Sequence, residues 1–190
     1  VKITDREVTF RDIEKALNMS KTMKVPNDKT LLYAVPCEYL VDGQNGIKNP
    51  LGMNGIKLEA KSHLIHFSKN AKENILKCIR LASKSLSVTS FYFNQLGVAE
   101  VVLSEEQKKL GVCLIDIGAG TTDISVYKNG SILFSKVLPY AGDYVTESIA
   151  LSLDISSSDA EQIKKKYGCA FSDIATEDML KIKVSGSNQS

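Results

Sequence analysis

Residues 116–123, DIGAGTTD, constrain the fold of this chain more than any other eight. They follow an apolar run at 112–115 and lead directly into a second strand-like stretch, 122–127. That context excludes the two common phosphate turns, since a Walker A loop needs Gly-Lys followed by Ser or Thr, and a Rossmann turn needs three glycines leading into a helix. Asn129 and Gly130 supply a two-residue hairpin signal, so a third strand at 131–138 completes a run of antiparallel strands. Gly118 and Gly120 are expected to adopt positive φ, turning successive amides into one concavity that cradles phosphate oxygens, with the hydroxyls of Thr121 and Thr122 as further donors. Asp116, at the end of a strand, is placed to hold magnesium through water, because that ion prefers oxygen ligands and retains several of its waters. From these residues alone, a tight turn whose Asp and Thr merely satisfy backbone groups fits equally well.

The first half of the chain reads as an α+β unit. Residues 9–23 have helical spacing, with Phe10, Ile13 and Leu17 on one face and Thr9 and Asp12 spaced as a capping box. Residues 31–35 read as a strand running into Pro36, and the glycines and prolines of 42–55 as a loop. At 56–67 Ile56, Leu58, Ala60 and Leu64 alternate with polar residues, predicting a half-buried strand. A helix follows at 70–86, then a strand at 88–93. The charged run 104–109 ends a short helix begun near Gln95. In the second half, helices are predicted at 144–153 and 159–167, the latter capped by Ser158 with Glu161 three residues on and stopped by Gly168.

Composition matters mainly for what it removes. At 190 residues, 43% hydrophobic, 24% charged and a formal charge of +2, the chain is ordinary for a globular protein, and a nucleic-acid binder working by bulk positive charge is not expected. No apolar run approaches the roughly 18 residues needed to span a bilayer. The four cysteines, Cys37, Cys78, Cys113 and Cys169, are far apart and predict isolated reduced thiols, with Cys113 packing as a small hydrophobe in a buried strand. His63 and His66 lie three apart on a strand, hence on opposite faces, which argues against a shared metal. Lys165, Lys166, Glu105 and Glu106 read as solvated surface, and no Ser, His and Asp arrangement suggests a nucleophilic enzyme.

Three segments, DIGAGTTDISVY from Asp116, PYAGDYVTESIA at 139–150 and SDAEQIKKKYGCA at 158–170, resemble the FtsA family of bacterial cell-division proteins, and so does PCEYLVDGQNGIKNPLGMNGIKLEAKSHLI at 36–65. The glycine loop is shared with actin, sugar kinases and heat-shock chaperones, whereas 36–65 is the stretch that sets this family apart. The resemblance implies an α/β fold of the actin-like, ribonuclease-H-like type, carrying an α+β inserted subdomain, with this chain a fragment of the larger fold. It implies ATP and magnesium as cofactors: Asp116 as the metal-side carboxylate, and Gly118, Ala119, Gly120, Thr121 and Thr122 as the second phosphate loop, where Ala119 stands in place of the family's common glycine. The AExxK pattern, here Ala160, Glu161 and Lys164, would meet the adenosine end. There a carboxylate can accept from ribose hydroxyls and an ammonium can lie near the base. Gly142 would let a helix start approach the nucleotide. Read without the resemblance, Glu161 and Lys164 equally make an exposed intrahelical ion pair.

By the same resemblance, residues 1–88 correspond to subdomain 1C, 89–110 to a connecting segment of subdomain 1A, 111–170 to part of subdomain 2A, and 171–190 to the start of subdomain 2B, near 179–184, with a frayed polar tail. Because only one such phosphate loop is present and no adjacent Gly pair follows, the chain is expected to be truncated at both ends, without the family's C-terminal membrane-targeting helix. The implied function is an ATP-binding scaffold that polymerises into filaments and, with other division proteins, tethers the tubulin-like protein FtsZ to the cytoplasmic face of the inner membrane at the division septum. Nucleic acid is not among the implied partners. Whether ATP is hydrolysed is left open. Two alternatives stand beside this: a small-molecule kinase or other actin-fold ATPase, which would need an acceptor site and a base near the γ-phosphate, and a nucleotide-independent interaction module built on 1–86.

Overall fold

The computed structural model describes residues 1–171, so the expectations for 172–190, including the subdomain start near 179–184 and the frayed tail, lie outside the described residues. The first half is a four-stranded sheet in the order β1-β4-β2-β3, formed by β1 (Lys2–Glu7), β2 (Lys29–Val41), β3 (Gln44–Ile47) and β4 (Asn54–Ser68). Helix α1 (Phe10–Lys21) starts as its sequence predicts, with the Thr9 amide and hydroxyl both donating to Asp12 Oδ2, at 2.9 and 2.6 Å. Arg6 donates two further 2.8 Å bonds to the same carboxylate, and together they hold Asp12 well below the usual carboxylate range. The inner face of α1 closes a core of Ile3, Val8, Ala16, Tyr39, Val41 and Leu58.

Several strand boundaries differ from the sequence reading. β2 does not stop at Pro36: its antiparallel pairing with β4 continues through Pro36 opposite Ser62 to Val41 opposite Leu58, and the ladder shifts register between Pro36 and Glu38. A proline lacks the ladder donor, and such an irregularity is where a strand can carry one. The stretch 42–55, expected to be loop, contains β3, reached through a two-residue turn at Asp42 and Gly43 with φ of 50° and 85°, the left-handed pair of a type I′ hairpin. In β4, Ile56 is exposed rather than facing the core, and the buried hydrophobic side chains are Leu58 and Ile65. Seven residues apart, these two lie on opposite faces, so the strand is covered from one side at its start and the other at its end.

Residues 88–93 cover that second side without forming the predicted strand. The Phe91 ring lies 5.4 Å from that of Phe67, and its carbonyl accepts a 2.8 Å bond from Tyr33 Oη, so side chains rather than a ladder hold the segment. Helix α2 (Lys69–Ala82) ends four residues earlier than predicted, its cap carboxy-terminal to it, Ser83, being extended. The helix expected from Gln95 through the charged run is two helices, α3 (Asn94–Val102) and α4 (Glu105–Leu110). Ser104 separates them: it donates its amide to Gln107 Oε1 at 2.8 Å and accepts from the Gln107 amide at 3.2 Å, a reciprocal cap that starts a new helix.

Strands β5 (Val112–Ile117), β6 (Thr122–Lys128) and β7 (Ser131–Leu138) make a separate three-stranded sheet in chain order. Connections of four and two residues are too short for a crossover, so the strands are antiparallel, and Asn129 and Gly130 take the predicted turn with φ of 53° and 73°. No helix follows Gly120. One face of this sheet joins α3 in a second core of Ala99, Leu114, Tyr127 and Ile132. The other face leaves Ile115, Ile117 and Cys113 exposed, so β5 alternates rather than being buried throughout, and Cys113 does not pack as a core residue. Helices α5 (Gly142–Leu153) and α6 (Ser157–Tyr167) pack on each other. The cap of α6 is Ser156, whose hydroxyl accepts from the Asp159 amide at 3.1 Å; Ser158, the sequence-predicted cap, is inside the helix. The described residues form two compact units, residues 1–114 with 125–135, and residues 115–124 with the described residues from Lys136 on.

Candidate functional site

All the predicted site residues fall in the second unit. The loop after β5 closes on itself where the Gly118 amide donates to Thr121 O at 2.9 Å. Neither Gly118 nor Gly120 has positive φ, which corrects the expectation; what the loop uses at Gly118 is the missing side chain, since a Cβ there would lie 3.3 Å from Thr121 O. The loop carbonyls point toward α5: Gly118 O accepts from the Gly142 amide at 3.1 Å and Ala119 O from the Asp143 amide at 2.8 Å. These contacts satisfy two of the donors that every helix start leaves unpaired. With its carbonyls so engaged, the exposed loop leaves the amides of Ala119, Gly120 and Thr121 without an intramolecular acceptor among the described residues.

The two threonines differ. Thr122 Oγ1 donates to Tyr140 O at 2.6 Å, so its proton is committed within the protein, whereas Thr121 is exposed. Asp116 and Asp123 flank the loop, and Asp123 is pushed above the usual carboxylate range, first by burial and then by the charge of Asp116. A cation beside this pair would relieve both effects. Among the described residues there is no group of three or more His, Cys, Asp or Glu that could hold a metal ion; magnesium commonly takes one or two carboxylates and completes its shell with water and phosphate.

Glu161 and Lys164 come together with Gly142, as the pattern AExxK on one helix face requires. Lys164 Nζ donates to Gly142 O at 3.0 Å and to Thr146 Oγ1 at 2.8 Å, and pairs with Glu161 Oε2 at 2.6 Å. The Thr146 hydroxyl, 7% exposed, donates to Glu161 Oε2 at 2.5 Å. The Lys164 ammonium, then the Thr146 hydroxyl, hold the Glu161 carboxylate down at about 2. Sequence reasoning missed Thr146, although its position four residues after Gly142 places both on one face of α5. Gly142 itself is packed: a Cβ would lie 3.4 Å from Gly118 O and 3.5 Å from Lys164 Nζ. Gly142 therefore joins the loop on one side to the α6 charges on the other. In the first unit, His63 Nε2 lies 2.8 Å from Ser135 Oγ and His66 is exposed.

A glycine loop on an antiparallel hairpin, backed by a helix start and a second helix bearing a Glu and Lys pair, belongs to the actin-like α/β class. In the same class of fold, the solved PilM-PilN type IV pilus biogenesis complex aligns with a TM-score of 0.58 at 21% identity, over 88% of this chain and 46% of that one. The family described as "Cell division protein FtsA" matches residues 113–190, and the "SHS2 domain inserted in FTSA" matches residues 1–66. The cell division protein FtsA of Pseudomonas aeruginosa is 43% identical over 175 residues, 92% of this chain, and that of Escherichia coli K12 is 40% identical over 178 residues, 94% of this chain. The chain belongs to the FtsA family of cell-division proteins. It spans 42% of the length of each of these relatives. Among the described residues no helix is long and apolar enough to cross a membrane.

Proposed function

We propose that residues 116–122, with Gly142, Glu161 and Lys164, form one wall of an ATP and magnesium site in an actin-like division scaffold. The observation that carries this reading is the loop's polarity: its carbonyls are tied to α5 while three consecutive amides, Ala119 to Thr121, remain available to phosphate oxygens. Asp116, with Asp123 beside it, would hold the metal's waters, and the metal would offset phosphate charge at the loop. Glu161 would accept from ribose hydroxyls. Lys164, already bonded to Gly142, Thr146 and Glu161, positions α5 and Glu161 before it meets any base. The rest of the site, on this reading, belongs to the remainder of the longer protein.

Residues 1–88 would be the family's inserted subdomain 1C, 89–110 part of 1A and 111–170 part of 2A. Nucleotide binding would set the conformation of a protein that assembles into filaments and holds FtsZ and other division proteins at the inner face of the membrane at the septum, through a membrane-targeting segment elsewhere in that protein. Calorimetry of full-length protein with magnesium and ATP tests the site. Asp116→Ala is expected to weaken binding at least about tenfold, as loss of a charged contact does. Unchanged affinity would remove Asp116 from the metal site.

A further inference from the structure

The carboxylate is the part of a glutamate that its rotamer controls least, because the last torsion is broad. Something outside Glu161 must therefore choose which of its oxygens faces outward. Oε2 is taken: the Lys164 ammonium pairs with it at 2.6 Å and the Thr146 hydroxyl donates to it at 2.5 Å. An ionised carboxylate has about two acceptor positions on each oxygen, so these two donors fill Oε2. Among the described residues Oε1 meets only Lys165, at 3.2 Å, whose side chain is 74% exposed. Such a surface pair is worth little and a ligand can displace it. Lys164 alone could not make the choice, since an ammonium is a point charge that satisfies either oxygen. The hydroxyl is directional, and it is fixed. Thr146 is buried on α5, its Oγ1 accepts from Lys164 Nζ at 2.8 Å, and it lies 3.2 Å from Gly142 O one turn back. A β-branched side chain has few rotamers in a helix, and the single proton goes to the closer acceptor, Glu161.

Resting on the nucleotide reading above, we propose that Thr146 is a positioning residue that sets how the site reads the sugar: by locking Oε2 inside the protein, it presents one carboxylate oxygen, Oε1, to one ribose hydroxyl. A carboxylate free to turn can accept from both hydroxyls of a vicinal pair, one on each oxygen. Held by Thr146 and Lys164, Glu161 accepts from one of them and leaves the other to water. The same two donors keep Glu161 ionised through the neutral range, so it acts as an acceptor only.

Calorimetry of the full-length protein with magnesium, comparing ATP with its two monodeoxy forms, each lacking one ribose hydroxyl, tests this. One monodeoxy form is expected to bind at least about tenfold more weakly than ATP, as loss of a hydrogen bond to a charged group does, and the other within about twofold. Thr146→Val is expected to bring the two forms within about threefold of each other, and Thr146→Ser, which returns the hydroxyl, to restore most of the difference. A purely structural threonine would behave differently: its loss would weaken ATP and both monodeoxy forms by one common factor and leave their ratio unchanged. In the ligand-free protein, carboxyl NMR should show the Glu161 midpoint raised in Thr146→Val and returned toward the wild-type value in Thr146→Ser. Comparable losses for both monodeoxy forms in wild type, or no loss for either, would overturn the presentation of a single oxygen. An unchanged ratio in Thr146→Val would overturn the role of Thr146. Failure of the wild-type protein to bind ATP at all would overturn the nucleotide reading and this proposal with it, a result distinct from either of the others.

Discussion

Lys164 is held on three sides, by Gly142 O, Thr146 Oγ1 and Glu161 Oε2, and that makes Thr146 the pivotal small side chain of α5. Thr146→Val keeps the shape and removes the hydroxyl, leaving a partly buried ammonium contact unmade; the variant is expected to lose about 1–3 kcal/mol in urea unfolding and to raise the Glu161 titration midpoint seen by carboxyl NMR. The same network predicts a pH dependence. The Glu161 carboxyl is lowered from 4.5 to about 2 in the folded chain. Its contribution is therefore fully present above about 4.5 and is lost as pH falls toward about 2. The stability difference between wild type and Glu161→Gln, measured by urea unfolding across that window, should shrink steadily toward the acid end; a difference that stays constant would mean the carboxylate is not paired in solution. Asp116 and the loop threonines were visible in the sequence because glycine, Asp and Thr cluster there. Thr146 was not, because a threonine inside an amphipathic helix looks like any other surface or core residue until its neighbour from α6 is in place.

At the scale of elements, the pattern of apolar residues found most helices and strands, and the errors fall where something other than period decides. Pro36 sits within a strand because the β2–β4 ladder shifts register beside it. Residues 88–93 have strand-forming side chains but no partner edge, and Phe91 packs by its ring instead. The start of α6 depends on one hydroxyl, and the two candidates, Ser156 and Ser158, are separable by experiment. Ser156→Ala should cost about 1 kcal/mol, and Ser158→Ala only a few tenths, since it is an exposed position within the first turn of the helix. Equal losses, measured by thermal unfolding, would contradict the cap seen here. In the first sheet Gly55 has a different constraint: a Cβ there would lie 2.5 Å from Val41 Cγ1, in the buried core. Gly55→Ala is expected to destabilise by roughly 1–3 kcal/mol through overpacking, with urea midpoint as the readout. That glycine lay in a stretch read only as turn-rich, because the sequence shows a glycine but not the side chain opposite it.

For the molecule as a whole, two compact units are described, one carrying the family's inserted SHS2 domain and one the glycine loop with α5 and α6. The hairpin topology after Asp116 and the helical pair after Gly142 were legible because turn chemistry and helical period agree there. The orientation of the loop was not: Gly118 serves close approach rather than positive φ, and the carbonyls of Gly118 and Ala119 are held by a helix start 24 residues downstream. That orientation is the core of the account, since it is what leaves the amides of Ala119, Gly120 and Thr121 for phosphate. Since the chain spans 42% of its relatives, a single wall of the site is expected to bind nucleotide weakly, water competing for phosphate on the open side. The most direct test is a magnesium-ATP titration of this chain followed by amide NMR. Shifts confined to 118–122, Gly142 and 161–164, saturating only in the millimolar range, are what the account predicts; the absence of any shift at Ala119, Gly120 and Thr121 while other residues respond would contradict it.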